Sequence, residues 1–180
     1  MDCHGCEDHL NQCNHGSWHD VTSCSHSQDV GLKCSVACLT YETSATSDAR
    51  FPFKAVNSDS LQVNFTVKTT GTTELILSRS DTVAGAVYSI RLSTTSTSGI
   101  YHHASAAFYP EQDMLDILDA SAFRGFWVTK TDGTVRVGRA AEGAPFLART
   151  DDQPDASVGD LYVGFDSLQP AEWQFGSLCK

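Results

Sequence analysis

From Leu61 to Lys68 apolar and polar positions alternate: Leu61, Val63, Phe65 and Val67 against Gln62, Asn64, Thr66 and Lys68. A period of two puts each set on one face of a pleated strand, so the segment predicts a half-buried β-strand. The period returns in Val87–Leu92, in Leu161, Val163 and Phe165, and in Trp173 and Phe175, while Glu74-Leu75-Ile76-Leu77 forms a short apolar run. Phe126–Lys130 runs into Asp132-Gly133 and leaves through Val135-Arg136-Val137. Asp-Gly between alternating runs predicts a two-residue hairpin, because both central residues of such a turn need positive φ. The one helical candidate is Glu111–Ala120, with Met114, Leu115 and Leu118 on one face and Asp113 as N-cap. Short strands punctuated by Gly, Pro and Asp predict an all-β fold, an antiparallel, jelly-roll-like β-sandwich.

Composition narrows the partners. At 180 residues with 41% hydrophobic content, the chain is long enough for one ordinary domain and a small appendage. Acidic residues outnumber basic ones 22 to 12, a net charge of −10 with no basic run. That balance excludes nucleic acid and anionic lipid surfaces, which are met by cationic footprints. No apolar run approaches the roughly 18 residues of a membrane span, so membrane insertion by this chain is not expected. Neither a basic n-region nor an apolar h-region follows Met1, which fits a cytosolic protein or a piece of a longer one.

The cysteines weigh between those two. The first 34 positions hold five of the seven cysteines and five of the seven histidines. Cys3 and Cys6 in C-x-x-C spacing, Cys13-x-His15 and Cys24-x-His26 offer ligands that Zn²⁺ accepts, but the second pair is loose and the residues between go unexplained. A disulfide framework accounts for more. The run Cys3, Gly5, Glu7, Leu10, Cys13, then His15, Trp18, Cys24, His26, Asp29-Val30-Gly31 and Cys34 resembles the C-terminal half of a scavenger receptor cysteine-rich domain, an extracellular recognition module. Cys6 falls where that family has a variable residue, and the spacing around Ser17-Trp18 is longer than usual. The resemblance implies a Cys3–Cys13 bridge. It leaves Cys24 and Cys34 without their usual partners, so Cys6, Cys24 and Cys34 stay unassigned. Residues 1–35 therefore read as a truncated, cysteine-rich remnant, residues 36–47 as a linker in which Thr40–Ser47 is rich in Ser and Thr, and residues 48–179 as the sandwich. Cys38 and Cys179 bracket the larger domain and are candidates for a bridge joining its ends, the alternatives being free thiols or pairing of Cys38 within the remnant.

The larger region carries a second resemblance. The segments AFRGFWVTKTDGTVRVGR, APFLARTD, YVGFDSL and EWQF resemble the farnesoic acid O-methyltransferase-like domain, over about residues 43–177. The Gly-rich segment that precedes an Ile-Arg in that family is thinner here, at Ala84-Gly85-Ala86 before Ile90-Arg91. The family name implies a methyl-transfer activity, yet the glycine-rich turn between a parallel strand and a helix that seats such a cofactor is not legible, and no cofactor is expected.

Other chemistry is thin. His102-His103 with Ser105 and Asp113 lacks the elbow of a hydrolase and reads as a solvated loop. Asp151, Asp152, Asp155 and Asp160 carry hard oxygen ligands without the ordered spacing of a calcium loop, so no metal site is assigned. Trp127 and Trp173 read as core residues rather than sugar platforms. Asn64-Phe65-Thr66 is an N-glycosylation sequon on the polar face of its strand. The combined expectation is a non-catalytic extracellular binding module, for a protein, a glycan or a small apolar acid, serving innate recognition or adhesion. Its alternatives are a farnesoic acid O-methyltransferase-type enzyme and a structural spacer.

Overall fold

A computed structural model describes residues 39–45, 49–55, 60–114, 116–151 and 160–175. The described residues form two six-stranded antiparallel sheets. Strands β1 (Leu39–Thr43), β12 (Ala171–Phe175), β3 (Ser60–Lys68), β8 (Arg124–Thr131), β9 (Thr134–Arg139) and β10 (Pro145–Thr150) make the first, in that spatial order. The second runs β2 (Arg50–Ala55), β11 (Leu161–Ser167), β4 (Thr72–Ser78), β5 (Ala86–Ser93), β6 (Ser98–His102) and β7 (Ala107–Gln112). The chain passes repeatedly from one sheet to the other, and its first strand pairs with its last, Leu39 opposite Phe175. This is the jelly-roll-like sandwich that the alternation predicts.

The alternating runs supply the core. Phe65 and Val67 of β3, Phe126 and Val128 of β8, and Trp173 of β12 face Leu75 and Leu77 of β4, Ile90 of β5 and Phe165 of β11, all almost fully buried. At the predicted hairpin, Thr131 pairs with Thr134, and Asp132 and Gly133 both have positive φ, 49° and 72°. That is the left-handed geometry for which Asp-Gly is selected.

Two expectations about the elements need correction. Part of the predicted linker, Leu39–Thr43, is the edge strand β1, held by full pairing with β12. The predicted helix over Glu111–Ala120 does not form: Glu111 and Gln112 finish β7, pairing with Gly99 and Ser98. Asp116 then takes a left-handed φ of 59°, which no α-helix accommodates. Leu118 is buried and Met114 packs against the core, so two of the positions taken for a helix face cover the core from a loop, with Ile117 buried beside them.

The loop is organised by Asp119. Its Oδ1 accepts from the Ser121 backbone N–H and hydroxyl, both at 2.8 Å, and from the Ala122 N–H at 3.2 Å, while Oδ2 accepts from Arg124 at 2.7 Å. The Ser121 backbone N–H above all, then its hydroxyl, Ala122 and Arg124, hold the carboxyl down at about 2, against a usual 3.8. A depressed carboxyl favours the folded loop fully above its unfolded value, and that contribution is lost as pH falls toward 2. An NMR titration of Asp119 is expected to show a midpoint near 2; a midpoint near the usual 3.8 would mean that these hydrogen bonds are not made in solution.

Candidate functional site

Residues paired across strands share a face. On the outer face of the second sheet, Gly164 (β11), Ile76 (β4), Ser89 (β5) and Tyr101 (β6) form one cross-strand row, which Tyr101 extends to Phe108 on β7. The adjacent row is Asp166, Glu74, Arg91 and Gly99. Small residues leave room that aromatic rings occupy. A Cβ on Gly164 would fall 2.4 Å from Cε1 of Phe51, and one on Gly99 would fall 2.8 Å from Cζ of Phe108, so both rings lie directly on glycine backbone. Ile76 and Ser89 are only 4% and 6% exposed although they face outward, so larger neighbours stand above their row.

Polar groups are set among these rings. Arg91 Nε and Nη2 each lie 2.9 Å from Glu74 Oε1, with the guanidinium 5.1 Å from the Phe108 ring centre. Ser89 Oγ and His103 Nε2 are 3.0 Å apart, and the His103 ring meets Tyr101 edge-on at 4.7 Å. Partial burial of its ring above all, opposed by the Glu74 carboxylate and helped by His102, holds His103 below its ordinary value and favours the neutral imidazole. Beyond β11, Lys54 pairs with Asp160 at 2.7 Å and lies 5.8 Å from the Tyr162 ring centre. The face is an aromatic-walled, hydrogen-bonding surface; Ser89 and His103 are paired on it, but among the described residues no carboxylate hydrogen-bonds to the His103 ring to orient it as a base.

His102, next along the chain, points the opposite way and is buried, correcting the reading of both histidines as a solvated loop. Its ring stacks on Tyr88 at 5.0 Å. Ser105 Oγ lies 3.1 Å from His102 Nδ1, but Asp151 Oδ1 faces that same nitrogen at 3.7 Å, and Nε2 is buried without a hydrogen-bond partner. A relay needs the nucleophile on one ring nitrogen and the carboxylate on the other, so this is no catalytic triad. Asp113 is exposed beyond β7. The group that organises the cluster is Arg149. It donates to Asp151 Oδ1 at 3.0 Å, to Ser105 Oγ at 3.0 Å, and to the carbonyls of Ala107 and Ile100 at 2.8 and 3.3 Å. Tyr88 donates its hydroxyl to Asp151 Oδ2.

The acidic loop separates accordingly: Asp151 is taken by Arg149 and Asp160 by Lys54, while Asp152 and Asp155 lie outside the described residues. Among the described residues no three His, Cys, Asp or Glu side chains converge as metal ligands. Cys3, Cys6, Cys13, Cys24, Cys34, Cys38 and Cys179 all lie outside them too, with the whole cysteine-rich opening segment. Asn64 is exposed on β3. Trp173 is fully buried, as expected, but Trp127 is not a core residue: it is half-buried on the outer face of the first sheet, opposite Asn64. Alternation in β8 permits either face to turn inward, and Phe126 and Val128 took the core. The aromatic face of the second sheet was missed because Phe51, Tyr101, Phe108 and Tyr162 come from four strands; the one local sign was Gly164 interrupting an apolar alternation.

In architecture the described chain is an antiparallel β-sandwich. It belongs to the family described as farnesoic acid O-methyl transferase, whose sequence pattern matches residues 41–178. No curated protein matches the chain. Similar solved structures include a carbohydrate-binding module, CBM66, of Bacillus subtilis, at 10% identity and TM-score 0.49, covering 74% of this chain and 91% of that one. A Caenorhabditis elegans galectin is similar at 9% identity and TM-score 0.46, covering 76% and 95%. A sialidase is similar at 12% identity and TM-score 0.45, covering 77% of this chain, which spans only 15% of the sialidase. These likenesses concern strand architecture. No helix among the described residues is long and apolar enough to cross a membrane.

Proposed function

We propose that this chain is a non-catalytic binding module of an extracellular multidomain protein, and that it holds a neutral glycan on the outer face of its second sheet. The observation that carries the reading is the set of rings Phe51, Tyr162, Tyr101 and Phe108 around the small residues Gly164, Ser89 and Gly99, with Glu74, Arg91 and His103 between them. Sugar rings present apolar C–H faces and a rim of hydroxyls, and aromatic faces beside planar polar groups suit both. A net charge of −10 disfavours polyanionic glycans. The extracellular setting is supported by the cysteine-rich opening and its resemblance to a scavenger receptor module. A Cys38–Cys179 bridge belongs to the same proposal: Leu39 pairs with Phe175, so the strands next to these cysteines begin and end side by side.

A glycan array followed by calorimetry on the full chain tests the reading. Wild type is expected to bind neutral oligosaccharides, and Tyr101→Ala or Tyr162→Ala to weaken binding about tenfold each, roughly 1.4 kcal/mol, with little change in melting temperature because neither ring belongs to the buried core. Gly164→Ala is expected to push Phe51 off the face and weaken binding as well. Undiminished binding in all three variants would remove the site from this face. The family description favours a second reading, methyl transfer, which the same calorimeter checks: saturable binding of S-adenosylmethionine would support it over the glycan module. Binding of neither ligand would leave a spacer.

A further inference from the structure

On the first sheet, Trp127 lies on the outer face, and its indole is pressed flat against the neighbouring strand. A Cβ on Gly138 would fall 2.1 Å from Cζ2 of Trp127 and 2.2 Å from Cε2, so the ring rests on glycine backbone. Its Nε1–H donates to the Glu142 carbonyl at 2.9 Å, which fixes the ring against rotation. The other face of the ring is turned away from the sheet, and among the described residues no aromatic ring or cation stacks on it. Single half-buried aromatics are ordinary on a protein surface, so what distinguishes this one is that its orientation is fixed.

The residue directly opposite Trp127 across the β3–β8 pair is Asn64. Facing residues on one side of an antiparallel pair have Cβ atoms about 4.5–5.5 Å apart; the indole leans from β8 toward β9, so a sugar on Asn64 extends over β8 to meet it. Asn64 is exposed and opens the Asn64-Phe65-Thr66 sequon. We infer that Asn64 carries an N-linked glycan whose innermost sugars lie on the outward face of Trp127. The inference shares with the proposed function only the passage of this chain through a secretory compartment; it uses the opposite sheet and is independent of any glycan bound there.

The modification is a transfer from a lipid-diphosphate-linked oligosaccharide. A bond forms between Asn64 Nδ2 and C1 of the first sugar, the bond from C1 to the phosphate oxygen breaks, the diphosphate leaves with the electron pair, and the amide gives up one proton. In the finished sandwich Phe65 is 2% exposed and Thr66 Oγ1 donates to Gln174 Oε1 at 3.2 Å, so the sequon is not free to enter a transferase. Transfer therefore precedes the docking of β3 between β12 and β8, and the sugar comes to rest on Trp127 only as the strands pair.

The test uses the full chain secreted from eukaryotic cells behind an added leader, with glycopeptide mapping, and its melting temperature with the glycan trimmed to one or two sugars. The expected results are occupancy at Asn64 and a melting temperature about 2–4 °C above that of Asn64→Gln. In Trp127→Ala the difference between occupied and unoccupied forms should vanish. Trp127→Phe, which keeps an aromatic face, should retain part of it. If the alanine variant is not secreted, acrylamide quenching of wild-type tryptophan fluorescence serves instead, and should fall when the glycan is present. An unmodified Asn64 in secreted, folded protein overturns the site even if the second sheet binds glycans. An equal gain in Trp127→Ala, or quenching indifferent to the glycan, overturns the seat on Trp127.

Discussion

Replacing Arg149 by alanine is expected to destabilise the fold by about 3–5 kcal/mol, because it breaks a buried charge pair from one side. The Arg149 side chain is 11% exposed and Asp151 only 6%, so neither charge has water to fall back on. Without the guanidinium, the Asp151 carboxylate keeps the Tyr88 hydroxyl but loses its countercharge. The carbonyls of Ile100 and Ala107 lose a donor at the same time. The position amplifies the loss. β10 is an edge of the first sheet, while β6 and β7 end the second, where the register shifts between Gly99 and Tyr101. Arg149 ties these edges together along the side of the sandwich. Urea unfolding should show the loss as a lower midpoint with unchanged slope. Arg149→Met combined with Asp151→Leu should cost less than Arg149→Ala alone, since removing both charges leaves none stranded. A loss below about 1 kcal/mol for Arg149→Ala would mean the cluster is solvated and not structural.

Trp173→Ala should have an effect of similar size, about 3–5 kcal/mol, for a different reason. Trp173 is fully buried, with ring centres 5.1 Å from Phe165, 5.7 Å from Phe65 and 6.1 Å from Phe175. Truncation opens a cavity among rings that are held by strands of both sheets and cannot collapse into it. The indole also donates to Thr43 Oγ1 at 3.0 Å, and Thr43 lies 2.5 Å from Ser167 Oγ, a polar bridge from β12 through β1 to β11. Trp173→Phe keeps most of the packing and forfeits this bond, so it should cost about 1–2 kcal/mol beyond the smaller ring volume. In a domain of this size the alanine variant should melt roughly 6–20 °C lower. Equal losses for the two variants would place the energy in the hydrogen bond and not in the aromatic packing.

Both residues show where a single sequence stops being legible. Trp173 was readable as core because Phe175 repeats its phase two residues on, and β12 buries that one face. Trp127 has the same kind of neighbours, yet Phe126 and Val128 on the other phase won the core, and the indole was left outside. Arg149 gave no sign. It stands two residues after Leu147 on the inward phase of β10, where a charge is tolerated only because Asp151 just beyond the strand, Ser105 of the β6–β7 turn and the carbonyls of Ile100 and Ala107 on two other strands converge on it. Glu111–Ala120 misled because the four-residue spacing of Met114 and Leu118 is also what a loop shows when it folds both against the core.

By itself the sequence determined the class of fold, the strands from β3 to β12 that carry strict alternation, the Asp132-Gly133 turn and the family. Each is written in near neighbours, through the period-two pleat and the φ angles that one dipeptide allows. Only the tertiary structure decided which phase of β8 faces inward, that His102 is buried while His103 meets the surface, that Arg149 clamps two sheet edges, and that Phe51, Tyr101, Phe108 and Tyr162 share one face. Those are matters of cross-strand register between segments as much as 111 positions apart. Register is settled by which buried faces fit together, a property of the assembled sheets that local sequence does not carry.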